Sequence, residues 1–334
     1  MTDLAAMILS AGYGTRMGEV GQALPKPLWP LGERPLLEFV LRQLQGNGIS
    51  SLWVNLHHQA HQVQQFLASL PFPVSVSEEP TLLGSGGGIH QMLALAQARS
   101  GLPTAVILAN ADQVVGWQQS PWPALQQVLA TTTARAALLA IEVKQTQGFN
   151  RLVIEQGRLQ AIRPWAADAA APPAYLTYLG LGLLRPHGLA LRPGEVSEFF
   201  HSVANYQQEE VAVCPTTPSF YYDCGTAAHY VHSLGQILEL VATQPENILA
   251  QFLIKHHFVD PAKIQISSNT PAARRIFYGQ VQAAAQVQMA INLTDHPIAF
   301  QQNAVVFAST AATTVEKAGI YYQNNFTPVE NAHF

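Results

Sequence analysis

The sequence carries a glycine-rich turn, Gly12-Tyr-Gly14-Thr15-Arg16, followed after eight residues by Pro25-Lys26-Pro27-Leu28. Glycine lets a backbone come close to an anion, and successive N–H groups in such a turn form a nest for phosphate oxygens. Arg16 adds a planar guanidinium fork and Lys26 a mobile point charge. Two other glycine motifs are excluded. The dinucleotide fingerprint needs a third glycine where Met17 stands, and no Gly-Lys-Ser/Thr follows as a P-loop requires. For the glycines taken alone, a plain tight turn remains the alternative. Ser85 is no nucleophile elbow, because Leu83 occupies the position where that motif needs glycine. His57, His58 and His61, and likewise His256-His257, read as surface patches, since adjacent histidines point different ways and no acidic partner is near.

The turn needs a rigid element to deliver it. Residues 5–9 form a continuous apolar run that stops at the glycines, the pattern of a buried strand ending in a loop. Helical periodicity follows at 35–44, 58–70 and 89–98, alternating with strand-like runs at 51–56, 74–76 and 104–109. Strands and helices alternating at these lengths predict a largely parallel, doubly wound sheet. Beyond residue 135 the pattern turns strand-rich, at 136–143, 151–155, 159–162, 176–184, 210–213 and 219–222, with an Ala/Pro-rich loop at 166–173. Thr226 is placed to cap a helix over 227–240. From Pro261, short β-prone pieces recur, among them the hexads Val281-Gln-Ala-Ala-Ala-Gln and Val287-Gln-Met-Ala-Ile-Asn. They fit either a degenerate left-handed parallel β-helix or a few irregular hairpins.

With Thr15-Arg16 and Pro25-Lys26, the first turn resembles the signature of the sugar-phosphate nucleotidyltransferases, Gly-x-Gly-Thr-Arg followed by Pro-Lys. The resemblance continues in order through Leu82-Leu-Gly84-Ser-Gly86-Gly87-Gly-Ile89, Asn110-Ala-Asp112, Thr177-Tyr178-Leu-Gly180-Leu-Gly182 and Tyr222-Asp223-Cys-Gly225-Thr226, across residues 4–240. It is most similar to the branch of mannose-1-phosphate guanylyltransferases and N-acetylmuramate-1-phosphate uridylyltransferases. The resemblance implies a Rossmann-like, doubly wound mixed α/β sheet as catalytic domain over 1–240. A linker or helix at 241–260 and a β-rich segment at 261–334 would follow it. It implies attack of a sugar 1-phosphate on the α-phosphate of a nucleoside triphosphate, with pyrophosphate leaving. Arg16 and Lys26 become the catalytic cations. Ala11, Gly12, Gly14, Thr15, Glu79, Gly84, Gly86 and Gly87 become nucleotide contacts, and Arg163, Tyr178 and Gly180 contacts to the sugar phosphate. Asp112 and Asp223, each at a strand end, would hold Mg²⁺, since paired carboxylates with phosphate oxygens and water make a hard oxygen site.

Three positions keep alternatives open. Glu79 lies in Ser77-Glu-Glu-Pro80 and reads equally as a solvated surface acid. Ile162-Arg163-Pro164 stands where family members often have Glu-Lys-Pro, and residues 17–24 lack their Pro-Leu-Thr run. Cytidylyl transfer to a small phosphorylated alcohol such as phosphocholine, or a non-catalytic nucleotide-sugar-binding subunit, are the competing functions.

Composition removes other classes. Hydrophobic residues make up 48% of the 334 residues, which excludes global disorder. A net charge of -4 and only 17 Lys and Arg argue against a nucleic-acid phosphate binder. Two cysteines cannot build a disulfide framework. The first residues lack a basic signal-peptide region and no apolar run reaches membrane-span length, so a cytoplasmic protein without membrane partner is expected. A β-rich tail with open edges leads us to expect a homo-oligomer formed through it.

Overall fold

The computed structural model describes residues 4–165, 172–266, 275–294, 296–308, 314–323 and 325–329. Most of the Ala/Pro-rich stretch at 166–173 lies outside the described residues. The chain divides into two compact units. The first comprises Met1–Gly12, Leu41–Ala111 and Trp117–Ser219; the second comprises Tyr13–Val40, Asp112–Gly116 and Phe220–Phe334.

The first unit is built on nine strands: β1 (Leu4–Leu9), β2 (Ser51–Leu56), β3 (Ser75–Glu78), β4 (Ala105–Asn110), β5 (Ala136–Lys144), β6 (Arg151–Glu155), β7 (Arg158–Arg163), β8 (Ala174–Leu184) and β9 (Val211–Pro215). They form one sheet in the order β3-β2-β1-β4-β8-β5-β9-β7-β6. The first four are parallel, with Met7 opposite Trp53 on one side and Leu108 on the other. Ala5, Ala6, Met7 and Ile8 are all buried, as a central parallel strand covered on both faces requires. Strand order reverses between β1 and β4, so their carboxyl ends, at Leu9 and Asn110, flank a crevice suited to a ligand. β8 runs antiparallel to both β4 and β5, which makes the sheet mixed. Its register shifts between Tyr178 and Gly182, and Gly180 takes the positive φ of 81° that this bulge needs.

Helix Gly84–Ser100 begins five residues earlier than apolar periodicity predicts, so the second glycine run lies inside it. Close packing explains the glycines better than a loop does. A methyl group at Gly86 would lie 2.5 Å from Ser202 Oγ, and one at Gly87 would lie 2.2 Å from the Glu195 carbonyl oxygen. Ile89, Met92 and Leu93 of this helix join Met7, Trp53, Val106 and Leu108 in the core. Helix Trp122–Thr131 buries Trp122, Leu125 and Leu129 and escaped the sequence reading. Among the described residues no helix is long and apolar enough to cross a membrane.

The second unit gathers three segments distant in sequence. Gln113–Gly116 pairs antiparallel with Phe220–Asp223, and helix Ala227–Thr243 follows, capped by the Thr226 side chain as expected. Trp29, Tyr230 and Phe307 meet edge to face, with centroids 5.0–5.7 Å apart, and Phe39 packs against Phe220, Phe252 and Phe258. Beyond helix Ile248–Lys255 the chain becomes a solenoid. Ile276–Tyr278, Met289–Asn292, Ala304–Ala308 and Gly319–Tyr322 form successive parallel pairs in one sheet. Val281–Ala283, Ile298–Phe300 and Thr314–Val315 do the same in a second. Rungs alternate between the sheets around Ala290, Ile298, Phe300 and Val306. Hairpins would pair antiparallel, so these ladders decide for the solenoid. The two expected hexads occupy different faces, at Val281–Ala283 and Met289–Asn292. Asn325–Pro328 then turns back antiparallel onto Gly319–Tyr322 and closes the end.

Candidate active site

In the second unit, Gly14 takes φ 62° and its carbonyl accepts the Met17 N–H at 2.8 Å, which closes the 3-10 turn Thr15–Met17. A helical turn, Gly18–Ala23, follows directly. A methyl at Gly21 would fall 2.4 Å from Met17 Cβ, so the loop folds tightly on itself. Gly12, Thr15 and Arg16 are exposed, and the Arg16 side chain makes no hydrogen bond or ion pair to the described residues. A cation presented this way has its charge available to a ligand.

Lys26 is held by an ion pair from its Nζ to Asp112 Oδ2, with both side chains largely buried. Asp112 precedes Gln113–Gly116, and its carbonyl accepts the Cys224 N–H at 3.0 Å. Asp223 ends the partner strand, so the antiparallel ladder and that bond bring the two aspartates to adjacent strand ends. Asp223 Oδ1 accepts the Gly225 N–H and Oδ2 meets His229 Nδ1, each at 2.9 Å. His229 escaped the sequence reading; the only signal was its place in the first turn of the helix that Thr226 caps. Burial, then the Asp112 and Asp223 charges, push the Cys224 thiol far above its ordinary value, so it is no nucleophile. The same two carboxylates, after burial, raise the Tyr221 phenol.

Among the described residues, no group of three or more His, Cys, Asp or Glu side chains gathers to hold a metal. Asp112 and Asp223 nevertheless fit a hard divalent cation. Two carboxylates suit an ion that keeps most of its shell for phosphate oxygens and water.

The first unit holds a different arrangement. Asn55 Oδ1 accepts the Ser10 N–H at 2.7 Å and the Ala11 N–H at 3.2 Å, and its Nδ2 donates to Glu79 Oε1 at 2.7 Å. Glu79 Oε2 accepts the Leu83 N–H at 2.9 Å. Glu79 is 2% exposed and is therefore not the solvated acid that its sequence surroundings also allowed. It fixes Asn55, which fixes the backbone leaving β1. Asn55 went unnoticed in the sequence, where an amide inside the apolar strand Leu52-Trp-Val-Asn-Leu56 was the available signal. The Gly86 and Gly87 N–H groups both donate to the Ser197 carbonyl, and Gly84 takes φ 73°.

The same unit has a cavity of about 400 Å³ whose lining includes Leu9, Asn110, Ile162, Tyr178, Glu198 and Phe199. Tyr178 stacks on Phe199 at 6.1 Å and meets Phe200 edge to face, and Phe200 meets Tyr206. Burial holds the Tyr178 phenol well above its ordinary value, so it stays protonated. Ser85 donates to Glu198 Oε2 at 2.8 Å and orients that carboxylate. Arg163, neighbour of Ile162, is exposed and stands opposite Arg151 in the ladder.

Known proteins resemble this chain. Residues 6–175 match the family model of the MobA-like NTP transferase domain. The bifunctional protein GlmU of Herminiimonas arsenicoxydans is 26% identical over 283 residues, covering 81% of this chain and 58% of that protein. A second GlmU, from Janthinobacterium, is covered over 64% of its length, so the chain spans about three-fifths of these relatives. A probable mannose-1-phosphate guanylyltransferase of Arabidopsis thaliana is 24% identical, with 74% of this chain and 68% of the relative covered. The crystal structure of HddC from Yersinia pseudotuberculosis, complexed with GMP-PN, shares the fold at a TM-score of 0.56 and 17% identity, over 71% of this chain and 99% of that one. The family match takes in more than half of the sequence, from within β1 to the start of β8, and with it the chain belongs to the MobA-like NTP transferase domain family.

Proposed function

We propose that the chain transfers a nucleotidyl group from a nucleoside triphosphate to a sugar 1-phosphate and releases pyrophosphate. The observation that carries this reading is the gathering of Lys26, Asp112 and Asp223 at two adjacent strand ends. A phosphate oxygen of the acceptor attacks the α-phosphorus; that P–O bond forms as the bond to the β-phosphate oxygen breaks, and pyrophosphate departs with the electron pair. A phosphate monoester has its second pKa near 6, so the attacking oxygen is already ionised at neutral pH and no general base is needed. Arg16 then neutralises the triphosphate and the departing pyrophosphate, and Lys26, oriented by Asp112, supplies a fixed positive charge to the reacting phosphates. Mg²⁺ would be held by Asp112 and Asp223 and would supply charge neutralisation at the phosphate oxygens.

The backbone that Asn55 anchors at Ser10 and Ala11 reads the nucleoside in this account, and the aromatic cavity takes the sugar. Among the described residues the cavity lining includes Glu198 and, as its basic side chain, His201 but neither lysine nor arginine, which favours a neutral sugar over an acidic one such as N-acetylmuramate. A second reading draws on the same lining: aromatic rings beside a carboxylate suit a quaternary ammonium group, hence cytidylyl transfer to phosphocholine.

The test is pyrophosphate release with each nucleoside triphosphate against neutral sugar 1-phosphates, N-acetylmuramate 1-phosphate and phosphocholine, with and without EDTA. Turnover on a neutral sugar 1-phosphate that EDTA abolishes is expected. Turnover only with CTP and phosphocholine would replace this reading by the second. Tight nucleotide binding with no turnover on any acceptor would overturn both and favour a regulatory subunit.

A further inference from the structure

We propose that Thr327, in the closing strand of the solenoid, is a positioning residue for the loop that carries Arg16, so that the C-terminal solenoid sets the phosphate-binding shape of that loop; the functional consequence rests on the reading above. The Thr327 side chain is buried, and its hydroxyl plays both of its hydrogen-bonding roles on one short segment. It accepts the Val20 N–H at 3.1 Å and donates to the Met17 carbonyl at 3.0 Å. These atoms belong to the first turn of helix Gly18–Ala23, whose N-cap residue Met17 offers no side-chain cap. A helix start leaves N–H groups without intrahelical partners, and serine, threonine, aspartate or asparagine at the cap ordinarily supply an acceptor. Here the acceptor comes from 307 residues away along the chain.

Gly18 records how close the approach is. It takes φ 65°, and a methyl at its Cα would lie 2.6 Å from Thr327 Oγ1 and 2.7 Å from Thr327 Cγ2. The bonded Met17 follows Arg16 directly and closes the turn onto Gly14, so the contact reaches the guanidinium through two residues of backbone. The other side of the strand is tied to the solenoid, where Thr327 stands opposite Ile320. Thr327 touches none of the charges assigned to the chemistry. Its effect passes through the backbone alone.

The experiment compares the full chain with Thr327→Val, which keeps the shape and loses the hydroxyl, and Thr327→Ser, which keeps the hydroxyl. Hydrogen exchange over residues 14–23 is read beside exchange over 289–306, together with the Kd of a nucleoside triphosphate and kcat and KM for pyrophosphate release. In Thr327→Val, loop protection and triphosphate affinity should each fall about tenfold, the combined worth of its two hydrogen bonds toward the lower end of their net range, while solenoid protection is unchanged. Thr327→Ser should restore both, and the loss should appear in KM for the triphosphate more than in kcat. Unchanged loop exchange in Thr327→Val, or failure of Thr327→Ser to restore it, would overturn the proposal. Loss of solenoid protection along with the loop would make Thr327 a general structural residue and overturn it too. Should the wild-type chain bind no triphosphate, the nucleotidyl reading fails, and the exchange comparison still decides whether Thr327 positions the loop.

Discussion

The two compact units handle polarity in opposite ways. In the first, Asn55 and Glu79 are each 2% exposed and satisfy one another and the backbone at Ser10, Ala11 and Leu83. In the second, Arg16 is exposed, and Asp112 and Asp223 keep 26% and 22% of their side-chain surface. A closed network of buried polar groups is fixed by folding and contributes shape. The exposed Arg16 contributes little to stability and is available to a ligand, while Asp112 and Asp223, partly buried beside Lys26 and His229, still present carboxylate surface to one. Substitutions in the buried Asn55–Glu79 network should therefore cost stability first, and those of the charged side chains Arg16, Lys26, Asp112 and Asp223 should cost rate first.

The largest effects belong to the second unit. Asp112→Asn and Asp223→Asn should each lower kcat for pyrophosphate release by about 10³-fold or more, by removing half of the carboxylate pair proposed to hold Mg²⁺. Near-normal rates in either would sink the metal assignment. Lys26→Ala should cost about 10²-fold in kcat, with a smaller change in nucleotide Kd, because its charge counts most where negative charge develops. Equal losses in both constants would make Lys26 a plain binding residue.

Glu79→Ala moves the comparison to the first unit. It leaves the Asn55 amide and the Leu83 N–H without their buried acceptor and should destabilise by about 2–4 kcal/mol, read as a lower midpoint in urea unfolding. An unfolding curve like the wild type would show the network to be dispensable.

The smallest effect concerns His90, which is fully buried and whose ring nitrogens find no partner in good hydrogen-bond geometry among the described residues. Burial pushes its pKa below the ordinary 6.5; the nearby Ser202 backbone and Glu195 pull upward and Arg192 pulls downward, and burial wins. The unfolded chain thus binds more protons, and the stability from neutral His90 is complete above pH 6.5 and declines as pH falls below it. Between pH 7 and 5 that loss is at most about 2 kcal/mol. His90→Leu should flatten this part of the urea-unfolding pH profile, and an unchanged slope would assign the acid sensitivity elsewhere.

Local chemistry was legible and long-range chemistry was not. The strand at 5–9, the turn through Arg16 and the cap at Thr226 rest on near neighbours, and the structure places each where the sequence put it. Asn55, His229 and Thr327 are ordinary residues whose roles come from partners 6 to 310 positions away, which no local pattern encodes. Gly86 and Gly87 were misleading. Glycine signals a turn by default, yet here it admits the 195–202 backbone against a helix. Helix Trp122–Thr131 was obscured by Pro121 and Pro123, although proline in a first turn is tolerated. The solenoid was only half legible because its rungs are spaced unevenly, at 13 to 17 residues.

Arg16→Ala, followed by kcat for pyrophosphate release and by the thermal unfolding midpoint on the same preparation, tests the central claim most directly. An exposed cation, proposed to neutralise the triphosphate, should when removed cut kcat by about 10²–10³-fold and leave the midpoint within about 1–2 °C of the wild type. A normal kcat, or a lost rate that comes with an equally lost fold, would contradict the division between a unit that orders and a unit whose charges act.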